Sequence, residues 1–250
     1  MAQTHKTEWT LEKKQEHYNT YINDKFDRKK YDNEVTQDLG ISKTCTINNK
    51  LYGPRDSHNH IGYNQYFIID NFLSNSWADK LLQWSIDAKE NYVFKTQVNR
   101  CSSLLFLNKD TKPTFKYVGK QIHKKLQDVL ENPPPGYVEM QLTRSGNGDF
   151  FGIHTDPGCA GGNDVFNRRV TFVYYLLKNN NFKDGDLVLH LEKDEKVYIP
   201  PIHNRLVIMY PFTLHEITQL SCGDEWSDGR FTFNGWFWDI KSKQNIDLYE

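Results

Sequence analysis

The stretch "LENPPPGYVEMQLTRSGNGDFFGIH", residues 130–154, divides the chain into two characters. Just before it, "TFKYVGKQIHKKLQDVL" (114–130) spaces its apolar residues as an amphipathic helix does, and the prolines of "ENPPPG" stop that helix. Beyond the prolines come short strand-like runs near 137–144, 149–154, 169–178, 186–192, 196–199, 205–210, 215–220 and 230–239. Gly, Pro, Asn and Asp separate them, as in "SGNGD", "NNNFKDGD" and "PPIHN". Eight such runs after two helices predict an α+β protein. Its core is a double-stranded β-helix, or jelly roll, over 137–241, with supporting helices packed on one face.

Upstream, residues 61–136 read as a support region. "QYFIIDNFLS" (65–74) is a strand entering a loop, and "NSWADKLLQWSIDAKEN" (75–91) is a helix with Trp77, Leu81, Leu82 and Ile86 at helical intervals. "CSSLLFL" (101–107) is a further strand. Residues 1–60 form a polar arm and loop with a helix over 9–30, whose thin stripe of Trp9, Leu11, Tyr18, Tyr21, Ile22 and Phe26 leaves it peripheral. Residues 242–250 are a C-terminal tail.

The totals narrow the function classes. A chain of 250 residues with 38% apolar residues can bury a core without disulfide staples. Lys and Arg (31) nearly cancel Asp and Glu (32), which argues against a nucleic-acid partner. The four cysteines show no metal-binding spacing, and no run is long and apolar enough for a membrane span. With no secretory h-region at the start, the expectation is a cytoplasmic protein with reduced thiols and no membrane partner. Nothing in the sequence sets an oligomeric state.

The run into "GIHTDPG" carries the chemistry. In an extended segment His154 and Asp156 point to one side and can reach one ion. His215, in "RLVIMYPFTLHEITQL", begins a new strand after a turn at Pro211 and can return a third ligand to the same mouth. Two histidines and one carboxylate on one face leave positions open, which points to non-haem Fe(II) and oxygen chemistry. Taken singly, the same residues also read as a strand cap, a turn and an ordinary satisfied histidine.

In "GRFTFNGWFWD" (229–239), alternation sends Arg230, Thr232, Asn234 and Trp236 to one face and Phe231, Phe233 and Phe237 to the other. A buried Arg–Thr–Asn face needs a partner, and a ligand carboxylate suits the guanidinium fork. Metal and arginine together imply a dicarboxylate keto acid, one end on the metal and the other on Arg230 and the Thr232 hydroxyl. That describes 2-oxoglutarate.

"GNGDFFGIHTD", "RRVTFVYYLLK", "DGDLVLH", "RLVIMYPFTLHEI" and "GRFTFNGWFWD", in this order, resemble the prolyl 4-hydroxylase-like branch of the Fe(II)/2-oxoglutarate dioxygenases, and the oxygen-sensing prolyl hydroxylase domains above all. The likeness covers about 137–241, and "YFIIDNFLS" with its helix matches the entry to that fold. It implies that His154, Asp156 and His215 hold iron, that Arg230 and Thr232 hold the far carboxylate, and that Tyr175 adds a phenol to it. Trp236 and Asn234 would line the substrate side. The chain departs from the family at Arg144 and Ser145, where a tyrosine often precedes the Gly-Asn-Gly turn. It departs again at the inserted "SCGDEWSD", whose Trp226 could belong to a substrate lid. Arg144 and Trp226 are therefore further substrate-side candidates.

The resemblance implies Fe(II), 2-oxoglutarate and O2, with ascorbate as an optional reductant. The reaction would be hydroxylation of an unactivated C–H bond in an amino-acid, peptide or protein substrate, prolyl or other, with release of succinate and CO2. Because related halogenases lack the carboxylate, Asp156 favours hydroxylation. The competing expectation is a non-catalytic metal-binding jelly roll that takes up a small carboxylate or a peptide. Other histidines read as structural: His190 as a packed side chain or a substrate neighbour, and Asp56, His58 and His60 as a loop, a lid or a second metal site. Arg168 and Arg169 read as solvated residues opening a strand.

Overall fold

The computed structural model describes residues 8–23, 66–156, 168–179, 182–191, 195–241, 243 and 245–250. The order of elements is α1 (Leu11–Asn23), β1 (Tyr66–Ile69), α2 (Asn75–Asp87), β2 (Val93–Gln97), β3 (Arg100–Phe106) and α3 (Lys112–Val129). The β-rich part follows with β4 (Tyr137–Ser145), β5 (Phe150–His154), β6 (Arg168–Leu176), β7 (Lys183–Asp184), β8 (Leu187–His190) and β9 (Lys196–Ile199). It ends with β10 (Leu206–Met209), β11 (Leu214–Ile217), β12 (Leu220–Ser221), β13 (Arg230–Trp238) and β14 (Ile246–Asp247).

The eight runs expected after the prolines are all strands, and every pairing between them is antiparallel. Neighbouring strands run β1-β10-β6-β13-β4-β3-β5-β11-β8-β9, with β2 beside β3 and β14 beside β4. β3 joins the two halves: Leu104 and Leu105 pair with β4, while Arg100 and Cys101 pair with β5. The curled sheet and its helices make the expected jelly-roll core.

Alternation divides the apolar residues between two cores. Phe231, Phe233 and Phe237 of β13, Phe172 and Tyr174 of β6, and Leu206 and Ile208 of β10 pack against α2 and α3, which contribute Leu81, Phe115, Val118 and Ile122. The opposite faces of the same strands give Val173, Tyr175, Val207 and Met209 to a second core with Leu187 and Leu189 of β8. That second core is the barrel interior, where Arg230, Thr143 and His215 also lie. Among the described residues, no helix is long and apolar enough to cross a membrane.

The N-terminal helix is shorter within the described residues than the 9–30 expected, and Phe26 falls outside them. Its thin stripe is enough to dock it. Trp9, Tyr18 and Tyr21 pack on Phe94, Cys101 and Phe150. Lys14 is buried between Glu8, at 2.7 Å, and Asp149, at 2.9 Å. Strand β2 was not expected: with Lys95 and Gln97 exposed, "VFKTQ" lacks a clean alternation and is held by pairing with β3.

Candidate active site

Cross-strand register brings the first two candidate ligands together. His154 ends β5 directly opposite His215 of β11, and their ring centroids are 4.2 Å apart. Asp156 follows β5, and its backbone N–H donates to the Pro211 carbonyl at 2.7 Å, which ties it to the turn before β11. Its carboxylate then lies 3.7 Å from His154 Nε2 and 3.5 Å from His215 Nε2. Donor atoms of the three residues all fall within 4.8 Å of one another, so one ion can take all three.

Backbone carbonyls decide which imidazole nitrogens face the ion. His154 Nδ1 bonds the Gly152 carbonyl and His215 Nδ1 bonds the Thr213 carbonyl, each at 2.8 Å. A carbonyl can only accept, so Nδ1 carries the proton in both rings and the Nε2 lone pairs are free for a metal. Burial, then the neighbouring His215, pulls His154 down to about 3, which keeps it neutral in water near pH 7. For Asp156, burial works against the charge, but His215, His154 and Arg168 outweigh it and hold the carboxyl below its ordinary range. Thr171 Oγ1 donates to its Oδ2 at 3.3 Å.

Deeper in the barrel, Arg230 is 3% exposed, yet no carboxylate among the described residues pairs with it, and Asp149 and Asp186 act on it only from a distance. Its Nη1 donates to the Gly185 carbonyl at 2.9 Å and its Nη2 to Ser145 Oγ at 3.4 Å, while Nε has no partner. Tyr175 lies below it, with the ring centroid 5.9 Å from the guanidinium, and its buried hydroxyl is also unpartnered. Burial pushes the phenol up to about 12, so it remains a donor. A buried cation without a paired anion and a buried O–H without an acceptor are costly on their own, and a bound carboxylate would satisfy both.

The three donor residues and Arg230 line one cavity, about 550 Å³ of empty space with its mouth included, and Tyr175 stands behind that lining. The cavity contains His154, Asp156, His215, Arg230, Asn234 and Trp236 from the sequence expectations. Asn234 donates to Thr143 Oγ1 at 2.7 Å across the β13–β4 pair, and Thr232 is buried between Arg230 and Asn234 on the same face. The indole N–H of Trp236 is buried near Asp156 and helps hold its carboxyl low.

Two expected substrate-side residues stand elsewhere. Arg144 alternates with the cavity residues Thr143 and Ser145, so it points outward, where it pairs with Glu8 at 2.9 Å and lies over the Trp226 ring at 4.6 Å. Trp226 in turn donates to the Ile86 carbonyl at 3.2 Å and packs on Tyr92 and Phe231. The pair braces the outer face. His190 is hydrogen-bonded to Glu216 at 3.0 Å, on the face opposite Leu187 and Leu189. Asp56, His58 and His60 lie outside the described residues.

Arg168 is not a solvated residue. Its guanidinium lies 3.8 Å over Trp236 and bonds Glu139 at 2.7 Å. Arg100 and Ser102 were missed altogether. Both line the cavity from β3, whose sequence run was read as starting one residue later. The alternation used for Arg230 would have found them, because Arg100 and Ser102 share a face while Cys101 turns to Phe94.

Two imidazoles and a carboxylate with positions left open form the ligand set of non-haem Fe(II) oxygenases. The donor set and the unsatisfied Arg230–Tyr175 pair fit such a metal and a diacid. A family profile described as the 2OG-Fe(II) oxygenase superfamily matches residues 140–238. An uncharacterized PKHD-type hydroxylase of Synechocystis is 30% identical over 201 residues, which make up 72% of this chain and 64% of that protein. The chain thus spans less than two thirds of that relative.

Solved structures share the fold. A prolyl hydroxylase of Trichoplax adhaerens, solved with a hypoxia inducible factor peptide fragment, aligns with a TM-score of 0.56 at 23% identity, over 70% of this chain and 84% of that one. A prolyl-4-hydroxylase of Pseudomonas putida gives a TM-score of 0.52 at 18% identity, over 72% and 94%. Over residues 140–238 the chain is thus similar to the 2OG-Fe(II) oxygenase superfamily, and its likeness to the prolyl hydroxylases is one of fold. The family that this profile describes implies Fe(II), 2-oxoglutarate and O2.

Proposed function

We propose that the protein is an Fe(II)- and 2-oxoglutarate-dependent hydroxylase that oxidises a C–H bond of an amino-acid, peptide or protein substrate. The observation that carries the reading is one cavity that joins a His154–Asp156–His215 donor set to a buried arginine with no ion-pair partner among the described residues. A metal-binding module with no diacid to hold would have no use for that arginine or for the idle Tyr175 hydroxyl.

In this reading His154 Nε2, His215 Nε2 and Asp156 hold the metal. When bound, Fe(II) with 2-oxoglutarate and O2 supplies oxidative decarboxylation to succinate and CO2, and with it the power to hydroxylate an unactivated carbon. The chain supplies position and dryness. Arg230, Tyr175 and Ser145 receive the far carboxylate, and Thr232 backs them. Thr171 orients Asp156, and Phe151, stacked 3.7 Å from His154, shields the ligand from water. Trp236, steadied by Arg168, and Asn234 face the substrate. A cytoplasmic setting belongs to the same proposal and suits the free thiols of Cys101 and Cys222.

The test is succinate formation from 2-oxoglutarate by protein loaded with Fe(II), with and without O2. Oxygen-dependent succinate that disappears in Asp156→Ala supports the reading. Folded, iron-loaded protein that makes none refutes it.

A further inference from the structure

Six arginines fall among the described residues, and four have acidic partners: Arg144 with Glu8, Arg168 with Glu139, Arg169 with Asp239 and Arg205 with Asp70. Arg230 and Arg100 have none among those residues, and both line the same cavity. Arg100 is 9% exposed, and its single hydrogen bond to a described residue runs from Nε to Ser102 Oγ at 2.9 Å. Its terminal nitrogens are left to the cavity. The guanidinium lies 4.5 Å from the centre of the Phe151 ring, which is stacked 3.7 Å from the His154 ring, so one aromatic ring separates it from a metal ligand.

Charge shows what that cation lacks. A divalent metal, the Asp156 carboxylate, a dianionic keto acid and Arg230 together cancel. Among the described residues Arg100 is the charge left over, and a desolvated guanidinium without a counter-ion is unfavourable. The keto acid spans Arg230 and the metal, so both of its ends are already engaged.

We propose that Arg100 is a second anion-binding group of the cavity and receives a carboxylate of the molecule to be oxidised; this rests on the function proposed above. The guanidinium fork would take the carboxylate in two parallel hydrogen bonds. Phe151 would hold its plane, and Ser102 would fix Nε. The substrate is then an acid, either through a free α-carboxylate or through an aspartate or glutamate side chain of a peptide.

The experiment uses full-length protein loaded with Zn(II) and N-oxalylglycine, so that binding is read without turnover. Calorimetry compares three probe sets: N-acetyl derivatives of the common amino acids, their carboxamides, and doubly capped peptides with an internal Asp or Glu. Wild type should bind acids of the first or third set about tenfold or more tightly than neutral counterparts. The set that binds names the source of the carboxylate. Arg100→Gln should erase the preference and Arg100→Lys keep part of it, with 2-oxoglutarate affinity changed by less than about twofold in both.

Equal binding of acids and amides by wild type, or no acid binding at all, overturns the proposal even if the glutamine variant fails to fold. So does an Arg100→Gln protein that still prefers acids, or one that loses 2-oxoglutarate instead. The function proposed above fails separately, if wild type with Zn(II) does not bind 2-oxoglutarate.

Discussion

At the scale of single residues, the site is set by which atoms are already occupied. The Gly152 and Thr213 carbonyls take the Nδ1 protons, so His154 and His215 can only offer Nε2. Asp156→Ala should therefore weaken Mn(II) or Fe(II) binding by about a hundredfold or more, read by calorimetry, with the fold intact by circular dichroism. Arg230→Met tests the other end. It removes a buried, uncompensated charge, so the ligand-free Tm should hold or rise. Saturating 2-oxoglutarate at about a hundred times Kd should add roughly 2.7 kcal/mol, about 5–10 °C in Tm, to metal-loaded wild type and nothing to the variant. Acid should also destabilise the metal-free protein. Burial holds folded His154 at about 3, whereas an unfolded histidine titrates near about 6.5. Between those values the unfolded chain binds a proton that the native state refuses, so stability falls as pH drops through that window. Asp156, held below the ordinary carboxylate range, adds a loss of the same sign further down. Thermal scans from pH 7 to 4 check this, and a Tm that stays flat would contradict it.

At the scale of elements, strands that alternate cleanly were legible. In "GRFTFNGWFWD" the three phenylalanines and the Arg–Thr–Asn–Trp set fall on opposite faces as read. In β4 the same rule sends Arg144 outward, opposite Phe231, against the expectation that it lies on the substrate side. α1 was the least legible element, because its stripe is thin and its partners are distant in sequence. In the fold it grips β5, the strand that carries His154. Tyr21 accepts a hydrogen bond from the Ile153 N–H at 2.8 Å and stacks on Phe150, and the ring lies where a Cβ at Gly152 would stand. Gly152→Ala should accordingly cost about 1–3 kcal/mol in urea unfolding. It should also weaken metal binding, because the Gly152 carbonyl orients His154; unchanged metal affinity would detach α1 from the site. Lys14→Met strands the fully buried Asp149 beside Glu8 and should cost about 3–5 kcal/mol in the same measurement.

At the scale of the whole molecule, sequence order alone indicated a jelly roll, since eight antiparallel strands in a curled sheet have few other ways to close. What it could not indicate is how β3 bridges the two halves, with its first residues on β5 and its later ones on β4. That bridge brings Arg100 to the cavity, and register across strands far apart in the chain has no local signal. The convergence of His154, Asp156 and His215 was legible because the chemistry constrains residue type and the strand constrains direction. The outer brace of Trp226 on Arg144 and the stacking of Arg168 on the cavity residue Trp236 depend on tertiary packing alone. The central claim is that one cavity binds ferrous iron and a keto diacid together. Its most direct test is an anaerobic titration of Fe(II)-loaded protein with 2-oxoglutarate, followed by visible absorption. A weak charge-transfer band should appear and saturate in wild type, and Arg230→Met should need far more 2-oxoglutarate to reach it. Folded, iron-loaded wild type that develops no band at any concentration would contradict the account.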